Sequence, residues 1–257
     1  MDENRYTPPE GQTLAQARKK PLNRDAVKYI AIIAMTFNHI AHAGFIPYGT
    51  PRFELFEDIG FITAVTMSFF LVEGYGYTKS RRKYALRLFC FALLSQVPFR
   101  LALGDIGLNM IYTLWLCFLI LLAMEYVRPL VLKIAAVGIL ILLSTVGDWP
   151  IIIPIATVLF ALSRGKPKCQ LLSYLATALM LWGLEYSILC HQYLPAEAAF
   201  HAFLSALPIL LSAVLTLGLY NGRQAEKYRT FHRWFFYVYY PAHLLILVAI
   251  RCAVYGW

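Results

Sequence analysis

Apolar residues fall in nine long blocks, near residues 26–46, 54–77, 84–103, 109–127, 130–147, 149–163, 169–191, 199–220 and 233–253, with short polar stretches between them. Blocks of this length match helices that cross about 30 Å of hydrocarbon. The pattern predicts an all-α, polytopic transmembrane helical bundle of nine helices. Residues 1–25 lack a hydrophobic period and contain Pro8, Pro9, Gly11 and Pro21, which predicts a disordered cytoplasmic tail. No cleavable signal peptide is expected, because the first apolar run begins late and has no small-residue cleavage site. Residues 26–257 then form a single transmembrane domain. Between 130 and 163 two short blocks flank Gly147-Asp148-Trp149-Pro150, so a re-entrant hairpin is the alternative to two full spans there.

Composition supports the membrane assignment. Of 257 residues, 60% are hydrophobic and 14% charged, and the mean hydropathy is +0.59, far from soluble averages. The formal net charge of +9 would point to nucleic acid if it formed a basic face. Instead Lys and Arg cluster between the blocks, which is a topology signal and excludes a nucleic-acid partner. On one side lie Arg5, Arg18, Lys19, Lys20, Arg24 and Lys28; then Lys79, Arg81, Arg82, Lys83 and Arg87; then Arg128 and Lys133, Arg164, Lys166 and Lys168, and finally Arg223, Lys227, Arg229 and Arg233. The other side has Arg52, Arg100 and Arg251, and carries the acidic Glu54, Glu57, Asp58, Asp105, Asp148 and Glu197. This asymmetry predicts a cytoplasmic N-terminus and an outside C-terminus. Cys90, Cys117, Cys169, Cys190 and Cys252 have no metal or disulfide spacing and are expected to be buried free thiols.

Polar groups inside apolar spans are costly and mark candidate chemistry. In the first block His39 lies roughly 20 Å from the cytoplasmic end at 1.5 Å per residue, in the outer half of the span. His42 shares its face, whereas Asn38 is about 100° away and is placed to bond a neighbouring helix. A packing role is the alternative for these residues. No HExxH or partner carboxylate accompanies the two histidines, so no metal site is expected. Glu73 sits near the cytoplasmic interface before the basic run Arg81, Arg82, Lys83 and Arg87, where it can set a helix end as an ion pair. The density of that basic run also suits a polyphosphate ligand. Gln96, Asn109 and Thr113 lie toward the outer side and can serve as interhelical glue or contact a substrate. Asp148 is expected at the outer surface as a helix cap, with Trp149 as an interfacial anchor. Tyr240-Pro241 is expected to loosen the last helix, and His243 lies near mid-bilayer.

The Asn38-His39 pair, FLVEGYGYTKSRRKYALRLFCFALLSQVPF, LNMIYTLW, VGDWP and YYPAH together resemble, in order, the blocks of the TraX family of membrane proteins. The likeness runs from about residue 28 to 250 and is strongest from 68 to 114. The family's best-known activity is N-acetylation of conjugative pilin subunits, and it looks related to a wider superfamily of transmembrane acyltransferases. The resemblance implies a multi-pass bacterial inner-membrane enzyme, embedded among membrane lipids. It would take an acetyl group from cytosolic acetyl-CoA and deliver it to an exported acceptor: a pilin or other peptide amine, or a glycan hydroxyl. Matched by motif, the family's Asp-His falls on Asn38 and His39, its Glu-Gly and following basic pair on Glu73, Gly74, Arg82 and Lys83, and its Tyr-Pro-x-His on Tyr240, Pro241 and His243. Asn38 stands where the family has Asp. On this reading His39 is the general base, and His243, Asn109 or Tyr240 orients it or receives the oxyanion. Arg81, Arg82, Lys83 and Arg87, with Glu73, would hold the acyl-CoA phosphates. A proton-coupled transporter or flippase using His39 and His243 as relays, and a noncatalytic envelope scaffold, are the alternatives.

Overall fold

The computed structural model describes residues 20–104 and 106–256. Most of the expected N-terminal tail, residues 1–19, lies outside them. Residues 20–23 belong to the fold: Lys20 Nζ donates to the Leu217 carbonyl at 2.6 Å, and Leu22 bridges Tyr220. The first helix already begins at Arg24, with Asn23 accepting from the Ala26 N–H as its cap.

The described residues form nine α-helices: α1 (Arg24–Ile40), α2 (Pro51–Tyr77), α3 (Arg81–Leu103), α4 (Met110–Tyr126), α5 (Leu130–Leu143), α6 (Ile152–Leu162), α7 (Pro167–Leu189), α8 (Pro195–Ala213) and α9 (Arg229–Tyr255). No strand occurs among them. By length and composition α2, α3, α7, α8 with its continuation to Leu219, and α9 are able to cross a membrane, while α4, α5 and α6 are shorter apolar helices. Apolar packing knits them together through residues such as Val65, Phe99, Phe118, Phe160, Tyr174 and Leu244, each fully or almost fully buried.

Successive helices alternate in direction, so the bundle has a basic end and an opposite end. At the basic end the start of α1 meets the end of α2 through an Arg24–Glu73 ion pair at 3.2 Å, and Tyr220 donates to the same carboxylate at 2.8 Å. The Arg164 guanidinium stacks on Tyr77. At the opposite end Arg251 donates to the carbonyls of Ala102 and Leu101, fastening α9 to the end of α3.

Besides the π-helical end of α8, Val214–Leu219, two stretches near the first helix and between α5 and α6 depart from regular helix. After Ile40 the chain widens into a π-turn, Ala41–Phe45, closed by Gly44 at φ +87°, a conformation glycine adopts without steric cost. The second is the turn between α5 and α6. Trp149 and Ile151 both have positive φ, 57° and 61°, which is a real strain for bulky and β-branched residues. Neighbours hold the turn: Ser144 Oγ accepts from the Ile151 N–H at 3.0 Å, Thr113 donates to the Asp148 carbonyl at 2.6 Å, and the Asp148 N–H donates to Leu108 at 2.7 Å. Gly147 lets this turn approach α4, since a Cβ there would lie 2.6 Å from Thr113 Oγ1. The eleven residues of α6 span only about 16 Å at 1.5 Å per residue, and α6 is buried on α2, α4 and α7.

Two expectations need correction. Asp148 does not cap α6, whose N-cap is Ile151 with no side-chain bond; Asp148 and Trp149 are half-buried, and Trp149 packs edge-on against Phe61. Pro241 lies inside the last helix, which continues from Arg229 to Tyr255. Of the five cysteines only Cys117 is buried; Cys90, Cys169 and Cys190 face outward from the bundle and Cys252 is half-buried, though all are free thiols. Their helices have one side turned away from the bundle, which sequence alone does not resolve.

At the α1–α2 crossing Gly60 lies directly against Asn38, and a Cβ at 60 would collide with the Asn38 side chain. Gly60→Ala is expected to lower stability by about 1–3 kcal/mol, the usual cost of overpacking. In α5, Gly138 meets nothing within 4 Å, so Gly138→Ala should leave stability unchanged or slightly raised. Thermal unfolding of both purified variants in detergent checks the contrast.

Candidate functional site

α1 and α9 run parallel, and three polar pairs join them at matching intervals. Tyr29 Oη meets His232 Nδ1 at 2.8 Å, Thr36 Oγ1 meets Tyr239 Oη at 2.7 Å, and His39 Nδ1 meets His243 Nε2 at 2.7 Å. The two imidazoles of the last pair are nearly parallel, 8° apart, and both are 5% exposed. His243 Nδ1 bonds in turn to the Tyr239 carbonyl at 2.8 Å. His39 Nε2 makes no hydrogen bond to a described residue, and His39 forms part of a cavity wall.

That cavity, about 270 Å³, is lined at its polar positions by Asn38, His39, His42, Glu57, Asp148 and Tyr240, with Trp149 and Phe61 beside them. The π-turn in α1 brings His42 round to Glu57, at 3.2 Å. A second cavity, about 560 Å³, extends toward the basic end. Among the described residues its wall carries the cations Arg24, Lys28, Lys79, Lys83, Arg87 and Arg233 and no carboxylate. The cavity near His39 has the reverse character, with Glu57 and Asp148 and, among the described residues, no Lys or Arg. Met35, Thr63, Met110 and Tyr240 line both, so these four residues form a shared boundary, or neck, between the two cavities. The Tyr240 hydroxyl is buried there without a hydrogen-bond partner among the described residues.

The structure sorts the residues singled out by sequence. His39, His243 and Tyr240 come together, with Tyr240 edge-on to both imidazoles at ring-centroid distances of 5.9 and 5.7 Å. Asn38 borders the same cavity but does not touch His39; its Nδ2 donates to the Glu57 carbonyl at 3.0 Å, clamping α1 to α2. The side chain hydrogen-bonded to His39 is that of His243. Asn109 is not on either cavity wall. It is wholly buried, its Nδ2 donates to Ala92 O and Gln96 Oε1 at 2.7 Å each, and its Oδ1 caps α4 by accepting from the Ile111 and Tyr112 N–H groups. A side chain so fully committed to a helix start has nothing left for a substrate.

The basic run divides in the same way. Lys83 and Arg87 line the cavity, whereas Arg81 pairs with Glu125 at 3.0 Å and stacks on Tyr75 and Tyr126. Arg82 is exposed and off the wall. Glu73 does not line the cavity either; it holds Arg24, which does. Lys28, Lys79 and Arg233 were not singled out as ligand-binding residues from sequence, where each reads as part of a topology signal. The one available cue was the spacing of Lys28 and His39 on a common face of α1. Among the described residues no group of three or more His, Cys, Asp or Glu is arranged to hold a metal.

The family model for "TraX protein" matches residues 23–251. Among curated proteins, "Probable fimbrial assembly protein FimC, serogroup H1" of Dichelobacter nodosus is 27% identical over 247 residues, covering 88% of this chain and 94% of that protein. No solved structure matches. With five helices long and apolar enough to cross a membrane and a family match that runs from the cap of α1 well into α9, this multi-pass membrane protein belongs to the TraX family.

Proposed function

We propose that the protein is a membrane-embedded acetyltransferase that takes an acetyl group from acetyl-CoA at its basic end and passes it to an exported acceptor at the other. The observation that carries this reading is the pair of oppositely charged cavities meeting at a four-residue neck beside His39. A polyphosphate donor suits the carboxylate-free inner cavity, where Lys and Arg offer charge-assisted hydrogen bonds. In this reading the basic end faces the cytoplasm of a bacterial inner membrane, in line with the distribution of Lys and Arg. The relative named for fimbrial assembly favours a pilin or another exported peptide over a glycan as acceptor.

The hydrogen-bond chain sets the chemistry of His39. A carbonyl only accepts, so the bond to Tyr239 O puts the proton of His243 on Nδ1 and leaves Nε2 with its lone pair. His39 must then donate from Nδ1 into His243, which leaves His39 Nε2 as a bare base on the cavity side. A neutral imidazole and a backbone carbonyl thus do the orienting that a carboxylate performs in other base pairs, so Asn38 in place of Asp does not disable the site. In the transfer, Nε2 takes the proton of the acceptor amine or hydroxyl as that atom bonds to the acetyl carbon. The oxygen that gains negative charge receives a hydrogen bond from Tyr240. The C–S bond then breaks, and the proton on His39 returns to the leaving thiolate.

A second reading draws on the same two cavities: a pair of polar cavities that share a four-residue boundary deep in a helical bundle also suits a proton-coupled transporter or flippase. Such a protein would drive substrate-dependent proton flux in liposomes with no acyl donor present, and would transfer no label.

Incubation of the purified protein with labelled acetyl-CoA and candidate exported peptides tests the acetyltransferase reading. His39→Ala is expected to lower transfer by about 10²–10⁴-fold, the range for a positioned base; transfer unaffected by that change would exclude His39 as the base. In nitrogen-15 spectra of histidine-labelled protein at neutral or higher pH, His39 should carry its proton on Nδ1 and leave Nε2 unprotonated. A proton on Nε2 would contradict the relay. For the donor site, loss of charge at Lys83 and Arg87 together should weaken CoA binding by about tenfold or more, whereas Arg82→Met should not change it.

A further inference from the structure

Lys28 occupies an unusual place in the inner cavity. It lies in the second turn of α1 and contributes to the cavity wall, yet none of the ion pairs among the described residues includes it. The nearby carboxylates are committed elsewhere: Glu73 to Arg24 and Tyr220, and Asp25 to the Ala225 N–H at 2.8 Å. The ammonium rests instead on the rings of Phe236 and Phe70, 5.2 and 5.7 Å from their centroids. Aromatic faces stabilise a cation without neutralising it, so the full charge is available to a ligand in the cavity.

The register of α1 relates this charge to the reaction point. Lys28, Ile32, Met35 and His39 follow one another at four-, three- and four-residue steps. Eleven residues at about 100° each return to within about 20° of the starting direction, so the four share one face. Lys28, Ile32 and Met35 line the inner cavity, and Met35 and His39 line the outer one. Along the helix axis Lys28 and His39 are about 16 Å apart at 1.5 Å per residue. The pantetheine arm that separates the inner phosphate of CoA from its sulfur is about 15–20 Å when extended, by the reach of a chain of that many bonds.

We propose that Lys28 binds the phosphate attached directly to the pantetheine arm of the acyl donor, so that one face of α1 sets the distance from that phosphate to the thioester at the neck. This rests on the acetyltransferase reading and adds to it a specific anchor. Lys83, in the first turn of α3, meets the outer phosphates. The donor class that fits is a phosphopantetheine thioester, with the nucleotide adding affinity but not register.

Calorimetric binding to the full-length protein in detergent tests this, with two probes: CoA, and 4′-phosphopantetheine, which keeps only the inner phosphate. Lys28→Met should weaken both by about tenfold or more, the loss expected for a charge-assisted hydrogen bond. Lys28→Arg should stay within about threefold of the wild type, and Lys83→Met should weaken CoA while leaving 4′-phosphopantetheine unchanged. Each variant is compared only where its gel-filtration profile matches the wild type, and Lys28→Arg reports the charge if Lys28→Met fails to fold. Wild-type protein that binds neither probe would remove the acetyltransferase reading itself. CoA binding by the wild type that Lys28→Met leaves intact would overturn the anchor alone, as would equal losses in Lys28→Met and Lys28→Arg.

Discussion

A polar side chain in hydrocarbon must find its partner within the bundle, and the seam between α1 and α9 is where that requirement shapes the molecule most. Tyr29–His232, Thr36–Tyr239 and His39–His243 join helices whose paired residues lie more than 200 positions apart. They recur at seven-, three- and four-residue steps, which keeps each set on one helical face. Because both partners run in the same direction, an odd number of alternating helices is needed to bring the first beside the last. The nine helices of this chain meet that condition. The seam also fixes the imidazole on which the proposed chemistry depends, so the closing of the fold and the setting of the base are one event.

Around this seam charge is segregated. Among the described residues six cations and no carboxylate line the cavity at the basic end, while the one beside His39 has two carboxylates and no Lys or Arg. In a low-dielectric surround such an arrangement is expensive unless ligands or water complete it. The fold accordingly ties down the cations it does not present to the cavity. Arg81 is bound by Glu125 and two tyrosine rings, and Arg164 lies on Tyr77. Glu73 pairs with one wall residue, Arg24, while Lys28 and Arg87 rest on aromatic rings.

The wall opposite α1 comes from two chain reversals that penetrate the bundle. Gln96 and Asn109 fix the first, with Gln96 donating to Gly107 at 2.8 Å and accepting from Asn109, so that α4 starts at Met110 in the neck. The second is the 147–151 turn, held at positive φ on both sides of Pro150 and bound to the first through Leu108. Strain of this kind persists only where neighbours over-determine the conformation. Ser144, Thr113 and Leu108 do so here, and the outcome is Trp149 set into the cavity wall.

By itself the sequence determined the number and alternation of the helices, since apolar blocks and clustered Lys and Arg are local properties of the chain; it did not give their lengths, and the blocks at 130–147 and 149–163 form helices of only 14 and 11 residues. It also singled out His39, Tyr240 and His243, because polar groups in apolar spans are conspicuous wherever they occur. The tertiary structure decided what those groups do. Asn38 and Asn109 carried the same signal as His39, yet one clamps two helices and the other caps a third, because their partners are backbone carbonyls and N–H groups with no trace in a residue pattern. Lys28 and Arg233 looked like topology signals, whereas Arg81, expected among the phosphate-binding residues, is held by Glu125. Only the rotation of each helix about its axis separates a cation that faces the cavity from one held by a neighbouring carboxylate, and contacts between residues distant in the chain set that rotation.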